Sequence, residues 1–134
     1  MSKISLSRVQ EAFNSAIKKR DRICRVRDFS PCFGSLECSH YFGVGAYPSL
    51  RFYPKNAYAQ CACHHRLHHD GKKFYKEWIQ EQPFFEKMDS MKNRYIKYTE
   101  ELKAEIIMLC NSGRLEELEK LIEKESEKNG KERT

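Results

Sequence analysis

The sequence predicts an α+β chain, mainly helical, with a small ββα unit set between an N-terminal helix and a C-terminal helical hairpin. Three observations predict it. Apolar residues recur at helical spacing at both ends of the chain. Two short strand-like runs, Glu37 to Phe42 and Ala57 to Gln60, flank a loop marked by Gly43, Gly45, Pro48 and Pro54. All five histidines fall between His40 and His69, mixed with cysteines where a helix is expected to begin near Cys63.

Taken in order, Ser5 or Ser7 can cap a first helix whose Val9, Phe13, Ala16 and Ile17 share one face. Its other face is basic and runs into Lys18, Lys19, Arg20 and Arg22, suited to phosphate contact. The 25–34 stretch, RVRDFSPCFG, is irregular, with Pro31 and Gly34 as breakers. After the ββα unit, Lys72 to Gln82 aligns Phe74, Tyr75, Trp78 and Ile79 on one helical face, and Pro83 ends that helix or starts the next. Phe84, Phe85, Met88 and Met91 suggest a further short helix. Thr99 is a suitable N-cap for a helix to Asn111 with Leu102, Ile106 and Leu109 inward and Gly113 as its stop. A last helix from Arg114 to about Glu127 carries Leu115, Leu118, Leu121 and Ile122 and completes an αα-hairpin. Residues 129–134 are expected to fray.

A chain of 134 residues fits one domain with a modest core. The expected divisions are a ββα domain over 1–98, including the basic helix, and a hairpin over 99–128 that joins the same unit or forms a dimer seam. No apolar run approaches the ~18 residues of a membrane span, and no signal peptide opens the chain, so a cytoplasmic protein is expected. Six cysteines interleaved with histidines, without a secretory signal, point to metal ligation or free thiols rather than disulfides. The net charge of +6 is uneven: residues 1–27 carry eight Lys/Arg against two Asp/Glu, whereas 99–134 carry seven against ten. That asymmetry suggests a polyanion bound by the first part of the chain.

The ββα unit supplies the parts for phosphodiester cleavage, which needs a base for water and a cation for the phosphate and leaving oxygen. His40, ending a strand, is the candidate base, and a carbonyl of the 43–56 loop is the expected partner that fixes its tautomer. Asn56 is the residue type that pins such a loop through side-chain bonds to backbone. His65 and His69 stand i and i+4, on one helical face, and can share a divalent ion such as Mg²⁺ or Mn²⁺.

The stretch SHYFGVGAYPSLRFYPKNAYAQC resembles the HNH (His-Me finger) endonucleases of phages, and most the NinG/Rap recombination nucleases. Those proteins show a similar Gly/Ser-His-Tyr/Phe, then Leu-Arg-Phe, an Asn, and Gln-Cys-x-x-Cys; the resemblance covers roughly Arg20 to Trp78. It implies metal-dependent DNA cleavage, with branched recombination intermediates such as Holliday junctions as substrates. By position it implies His40 as general base, Asn56 as the central Asn, and His65 as the last His of the triplet. Arg51, of Leu-Arg-Phe, is the implied phosphate contact, joined on the basic side by Lys18, Lys19, Arg20, Arg22, Arg25 and Arg27.

The chain also departs from that pattern. Many family members place Asp or His before the base as a metal ligand, where this chain has Ser39, a weak ligand. Members often carry a structural zinc on two Cys-x-x-Cys knuckles, whereas here these read Cys24-Arg-Val-Arg27 and Cys61-Ala-Cys-His64. A zinc set can be drawn from Cys24, Cys32, Cys61 and either Cys63 or His64, provided the loop brings Cys32 back. Cys38 and Cys110 read as buried thiols. Two function classes follow: a metal-dependent DNA endonuclease, working as a homodimer through the hairpin, or a non-catalytic zinc-stabilised nucleic-acid-binding module.

Overall fold

The first helix, α1 (Leu6–Asp21), starts where Ser5 Oγ accepts the Arg8 N–H at 3.1 Å, and it buries Val9, Phe13, Ala16 and Ile17 as their spacing requires. In this computed structural model, which describes residues 3–128, it ends at Arg22 in the left-handed region, φ 66°. The expected fraying of 129–134 lies outside the described residues. Strand β1 (Leu36–His40) pairs antiparallel with β2 (Ala57–Cys61), His40 opposite Ala57 and Leu36 opposite Cys61. Helix α2 (Ala62–His69) follows β2 without a linker, Cys61 serving as its N-cap. The chain continues through α3 (Phe74–Gln80), α4 (Phe85–Met91), α5 (Glu100–Asn111) and α6 (Leu115–Lys128). Fold class is therefore α+β and mainly helical, and no helix among the described residues is long and apolar enough to cross a membrane.

The C-terminal helices start and stop as their end residues dictate. Thr99 Oγ1 accepts the Leu102 N–H at 3.1 Å, and Gly113 takes φ 71° just beyond α5. The hairpin's apolar faces are not free, however. Leu102, Ile106, Leu109, Leu118 and Ile122 are buried in the same core as Phe13, Phe52 and Tyr53. Lys55–Glu119 and Lys87–Glu123 ion pairs, each 3.0 Å, and a 2.7 Å bond from Tyr53 Oη to Glu123 tie α6 to the loop and to α4. The partners of these apolar faces are α1 and the 48–56 loop.

One carboxylate fastens α1 to the sheet. Asp21 is buried, accepts the Ala59 N–H at 2.8 Å, and pairs with Arg20 at 2.7 Å and Arg25 at 3.0 Å. Arg20 also donates to the carbonyls of Pro54 and Ala57. Removing Asp21 leaves a buried strand N–H and two guanidinium groups without their partner. Asp21→Ala is therefore expected to lower unfolding free energy by roughly 2–3 kcal/mol, read as a reduced urea midpoint at unchanged slope. A loss under about 0.5 kcal/mol, the size of an ordinary surface change, would show that the tether is dispensable.

Candidate functional site

The 42–56 loop is held from within by Asn56. Its side chain is fully buried: Oδ1 accepts the Phe42 N–H at 2.8 Å, and Nδ2 donates to the carbonyls of Phe42 and Leu50 at 3.0 and 3.1 Å. These bonds close the loop and bring its backbone over His40, whose Nε2 lies 3.0 Å from the Arg51 carbonyl. Both sequence expectations, the carbonyl partner and the pinning Asn, are met by these contacts. A carbonyl only accepts, so Nε2 carries the proton and Nδ1 is the bare nitrogen. Burial drives the His40 pKa down to about 4, and the Arg51 and His65 charges add to that while the Arg51 carbonyl opposes it. His40 is thus neutral at physiological pH.

The strand sorts the other candidates. Glu37, three residues before His40, reaches α2, its Oε1 lying 2.9 Å from His65 Nδ1. The carboxylate leaves His65 Nε2 bare, and His69 Nε2 faces it at 3.0 Å. His40 instead sets its ring against Phe13 of α1, centroids 5.6 Å apart. Ser39 is fully buried beneath Tyr75, which donates to its carbonyl at 2.8 Å, whereas His69 is exposed. Ser39 is therefore not the acidic or polar group beside the helix histidines; Glu37 is, and sequence reasoning passed over it. Its signal was present, since residues two apart on a strand share a face. His68 packs on Tyr41 and Tyr75; burial and then the neighbouring His69 lower its pKa, against the His40 carbonyl that raises it.

The second constellation joins Cys24, Cys32, Cys61 and His64, one donor atom from each lying within 4.8 Å of all the others. The loop does bring Cys32 back. His64 Nδ1 stands 3.3, 3.7 and 3.1 Å from the sulfurs of Cys24, Cys32 and Cys61. Tetrahedral zinc with bonds of ~2.3 Å to sulfur and ~2.0 Å to nitrogen sets S···N at ~3.6 Å, so the cluster can hold such an ion with little movement. Ser30 Oγ, 2.9 Å from Nε2, can accept that nitrogen's proton in the tautomer whose Nδ1 lone pair faces the sulfurs. Cys63 is not in the cluster. Cys61 caps α2, and the residue that a helix turns back toward its cap is the third one on, His64. Desolvation together with the Cys24 and Cys61 thiols pushes the Cys32 thiol up to about 12. Desolvation also works to raise Cys61, but the His64 and Phe33 N–H groups and the Cys32 and Cys24 thiols hold it below the ordinary range. All six cysteines are free thiols, with Cys110 buried and Cys38 half-buried.

The basic residues divide. Lys18, Lys19, Arg22 and Arg27 are exposed and, among the described residues, in no ion pair. Arg20 and Arg25 are held by Asp21, and both guanidiniums lie over the Tyr58 ring. Arg51 donates from Nε to Gln10 Oε1 at 2.7 Å, and its carbonyl meets the His40 imidazole. Compared with protein-family models, curated proteins and solved structures, this chain matches none.

Two measurements check this geometry. Native mass spectrometry of the zinc-loaded protein should show one tightly held ion that Cys61→Ser loses and Cys63→Ser keeps; loss of the ion in Cys63→Ser as well would put Cys63 among the ligands in place of His64. For His40, the unfolded chain takes up its proton near pH 6.5 and the folded chain only near 4. The stability this neutral imidazole contributes is complete above pH 6.5 and is lost as pH falls toward 4. Its Cε1 proton resonance should accordingly stay put between pH 7.5 and 5.5, and a midpoint near 6.5 would refute the buried neutral base.

Proposed function

We propose that this chain is a metal-dependent DNA endonuclease, hydrolysing phosphodiester bonds in branched DNA. The observation that carries the reading is His40: a neutral imidazole at a strand end, its Nε2 fixed on the Arg51 carbonyl by a loop that Asn56 closes. Nδ1 is left to take the proton of a water as it attacks phosphorus, which is general-base catalysis. Arg51, whose backbone orients the base, also carries a guanidinium suited to the phosphate oxygens beside it.

His65 and His69 are the residues to hold a divalent ion. Their Nε2 atoms lie 3.0 Å apart on one helical face, where both would reach one bound ion. Glu37 then serves as the carboxylate behind a ligating histidine, setting its tautomer and raising its basicity. The ion supplies charge stabilisation for the phosphate and the leaving oxygen. Imidazole ligands favour Mn²⁺ and later transition ions over Mg²⁺. The Cys24/Cys32/Cys61/His64 ion has a different part, joining the 24–32 loop to the start of α2.

That cluster also supports the second reading, a zinc-stabilised nucleic-acid-binding module without turnover. Plasmid nicking in Mn²⁺, with and without chelator, separates the two. His40→Ala should lower nicking by ~10²–10⁴ while the circular dichroism spectrum and DNA affinity stay near wild type. His69→Ala should raise the Mn²⁺ concentration for half-maximal rate. Metal-dependent nicking by His40→Ala at the wild-type rate would remove His40 as the base, and no nicking by the wild type with any divalent ion would favour the binding module.

A further inference from the structure

Three of the five most exposed large apolar side chains among the described residues lie in one short loop: Ile23 at 48 %, Phe29 at 50 % and Phe33 at 68 %. Isolated surface apolar groups are ordinary, but a cluster of them rimmed by charge marks a contact surface. Arg22 and Arg27 of the same loop are exposed and in no ion pair among the described residues.

Phe33 differs from its neighbours in being both exposed and rigidly seated. Its carbonyl accepts the Cys63 N–H at 3.1 Å and the next but one, Ser35, accepts the Ala62 N–H at 2.8 Å, so the loop is bonded to the first turn of α2. Gly34 between them lies so close that an added Cβ would stand 2.7 Å from Ala62 Cβ, and its φ of 86° suits glycine alone. On the other side Cys32 enters the Cys/His cluster. Phe29, by contrast, already lies on Phe74, centroids 4.3 Å apart, and the cleft behind it carries Asp28, Glu77 and Glu81. Those carboxylates make that cleft unfit for phosphate.

Helix α2 connects Phe33 to the histidine pair. Ala62, Arg66 and His69 are spaced four and three apart, so they share one face, and Arg66 and His69 are exposed. From the turn that carries Phe33 to His69 is seven residues, about 10 Å along the axis. That span corresponds to roughly three nucleotides at ~3.4 Å each.

We propose that Phe33 is a stacking platform for an unpaired base a few nucleotides from the phosphate engaged at His65 and His69, with Arg66 contacting the backbone between. This deepens the nuclease reading and rests on it, because it takes DNA as the partner. An aromatic ring beside a cationic track is the arrangement that holds single-stranded nucleic acid without regard to sequence. With its backbone already held, Phe33 has only two side-chain torsions to order on binding. The chain would thereby prefer a junction or flap, where bases are free to stack, over continuous duplex.

The test is fluorescence anisotropy of the full-length, zinc-loaded protein with a labelled single strand and with a blunt duplex of the same sequence. Phe33→Ala should weaken single-strand binding roughly tenfold, the scale of one lost stacked base, with duplex binding changed less than about twofold. Phe33→Trp should restore it. Arg66→Gln should reduce the salt dependence of both probes, since each phosphate contact releases counterions, whereas Phe33→Ala should leave that slope unchanged. Retained zinc and an unaltered circular dichroism spectrum show that the variants are folded. Unchanged single-strand affinity in Phe33→Ala overturns the proposal, as does an equal loss on both probes. If Phe33→Ala instead abolishes a self-association seen in sedimentation while both DNA affinities hold, the patch is a protein interface and the proposal fails. Nicking measured on His40→Ala bears on the catalytic reading alone, so the two can fail separately.

Discussion

Closure of the 42–56 loop by one buried amide is the constraint on which the rest of the site depends. From the end of the loop, Asn56 satisfies backbone groups at its start and its middle, and it does so where water cannot substitute. An unsatisfied buried polar group costs about 1–3 kcal/mol, so the loop has a strong preference for this one closed form. With it closed, Leu50, Phe52 and Tyr53 enter the core, and the Arg51 carbonyl between them arrives at His40. The same packing that stabilises the loop therefore sets the tautomer of the candidate base. Aspartate would lack the N–H donors that reach the carbonyls of Phe42 and Leu50, which is why the chemistry of the clamp calls for an amide.

Two further tethers attach the flanking chain to the ββα unit, and they are of different kinds. Asp21 joins the end of α1 to the middle of β2 through charge-assisted hydrogen bonds. The Cys24/Cys32/Cys61/His64 cluster lies next along the chain and joins the irregular 24–32 loop to the β2–α2 junction. The loop between Cys24 and Cys32 carries little apolar burial of its own beyond Val26. A segment of that composition would gain order from an ion held at the cluster. The electrostatic tether serves a helix that is already well packed, and the metal-binding one serves a loop that is not.

The five histidines show how position sets the behaviour of one residue type. His40 is driven neutral by burial and held by a carbonyl. His64 is fully buried with its Nδ1 among three sulfurs. His68 fills a gap between tyrosines. Only His65 and His69 turn their Nε2 atoms toward one another near the surface, 3.0 Å apart, with Glu37 on the far nitrogen of His65. Three of the five are thus ordered by buried surroundings, and the remaining pair lies nearer the solvent.

Periodicity and end residues determined the elements by themselves. Ser5, Thr99 and Gly113 act within one turn of their own position, and the faces of Val9 to Ile17 and of Leu102 to Leu109 follow from helical spacing. Asn56 and the carbonyl partner of His40 were legible for the same reason, since the loop they join is short and bounded by two strands. Tertiary structure alone decided what lies far apart in sequence. Arg20 and Arg25 look like free cations on a basic segment until Asp21, buried by the sheet, takes them. His64 rather than Cys63 completes the cluster because the helix begins at Ala62, one residue before the expected start, and a shift of one position rotates each side chain by about 100°. Glu37 rather than Ser39 meets His65 because packing of α2 and α3 on the sheet selects which side chain is reached and which is sealed. The C-terminal stripes could face a second copy or the same core, and sequence spacing is identical in both cases. The stripe residues lie in one core with α1 and the closed loop, a surface that exists only once the chain has folded.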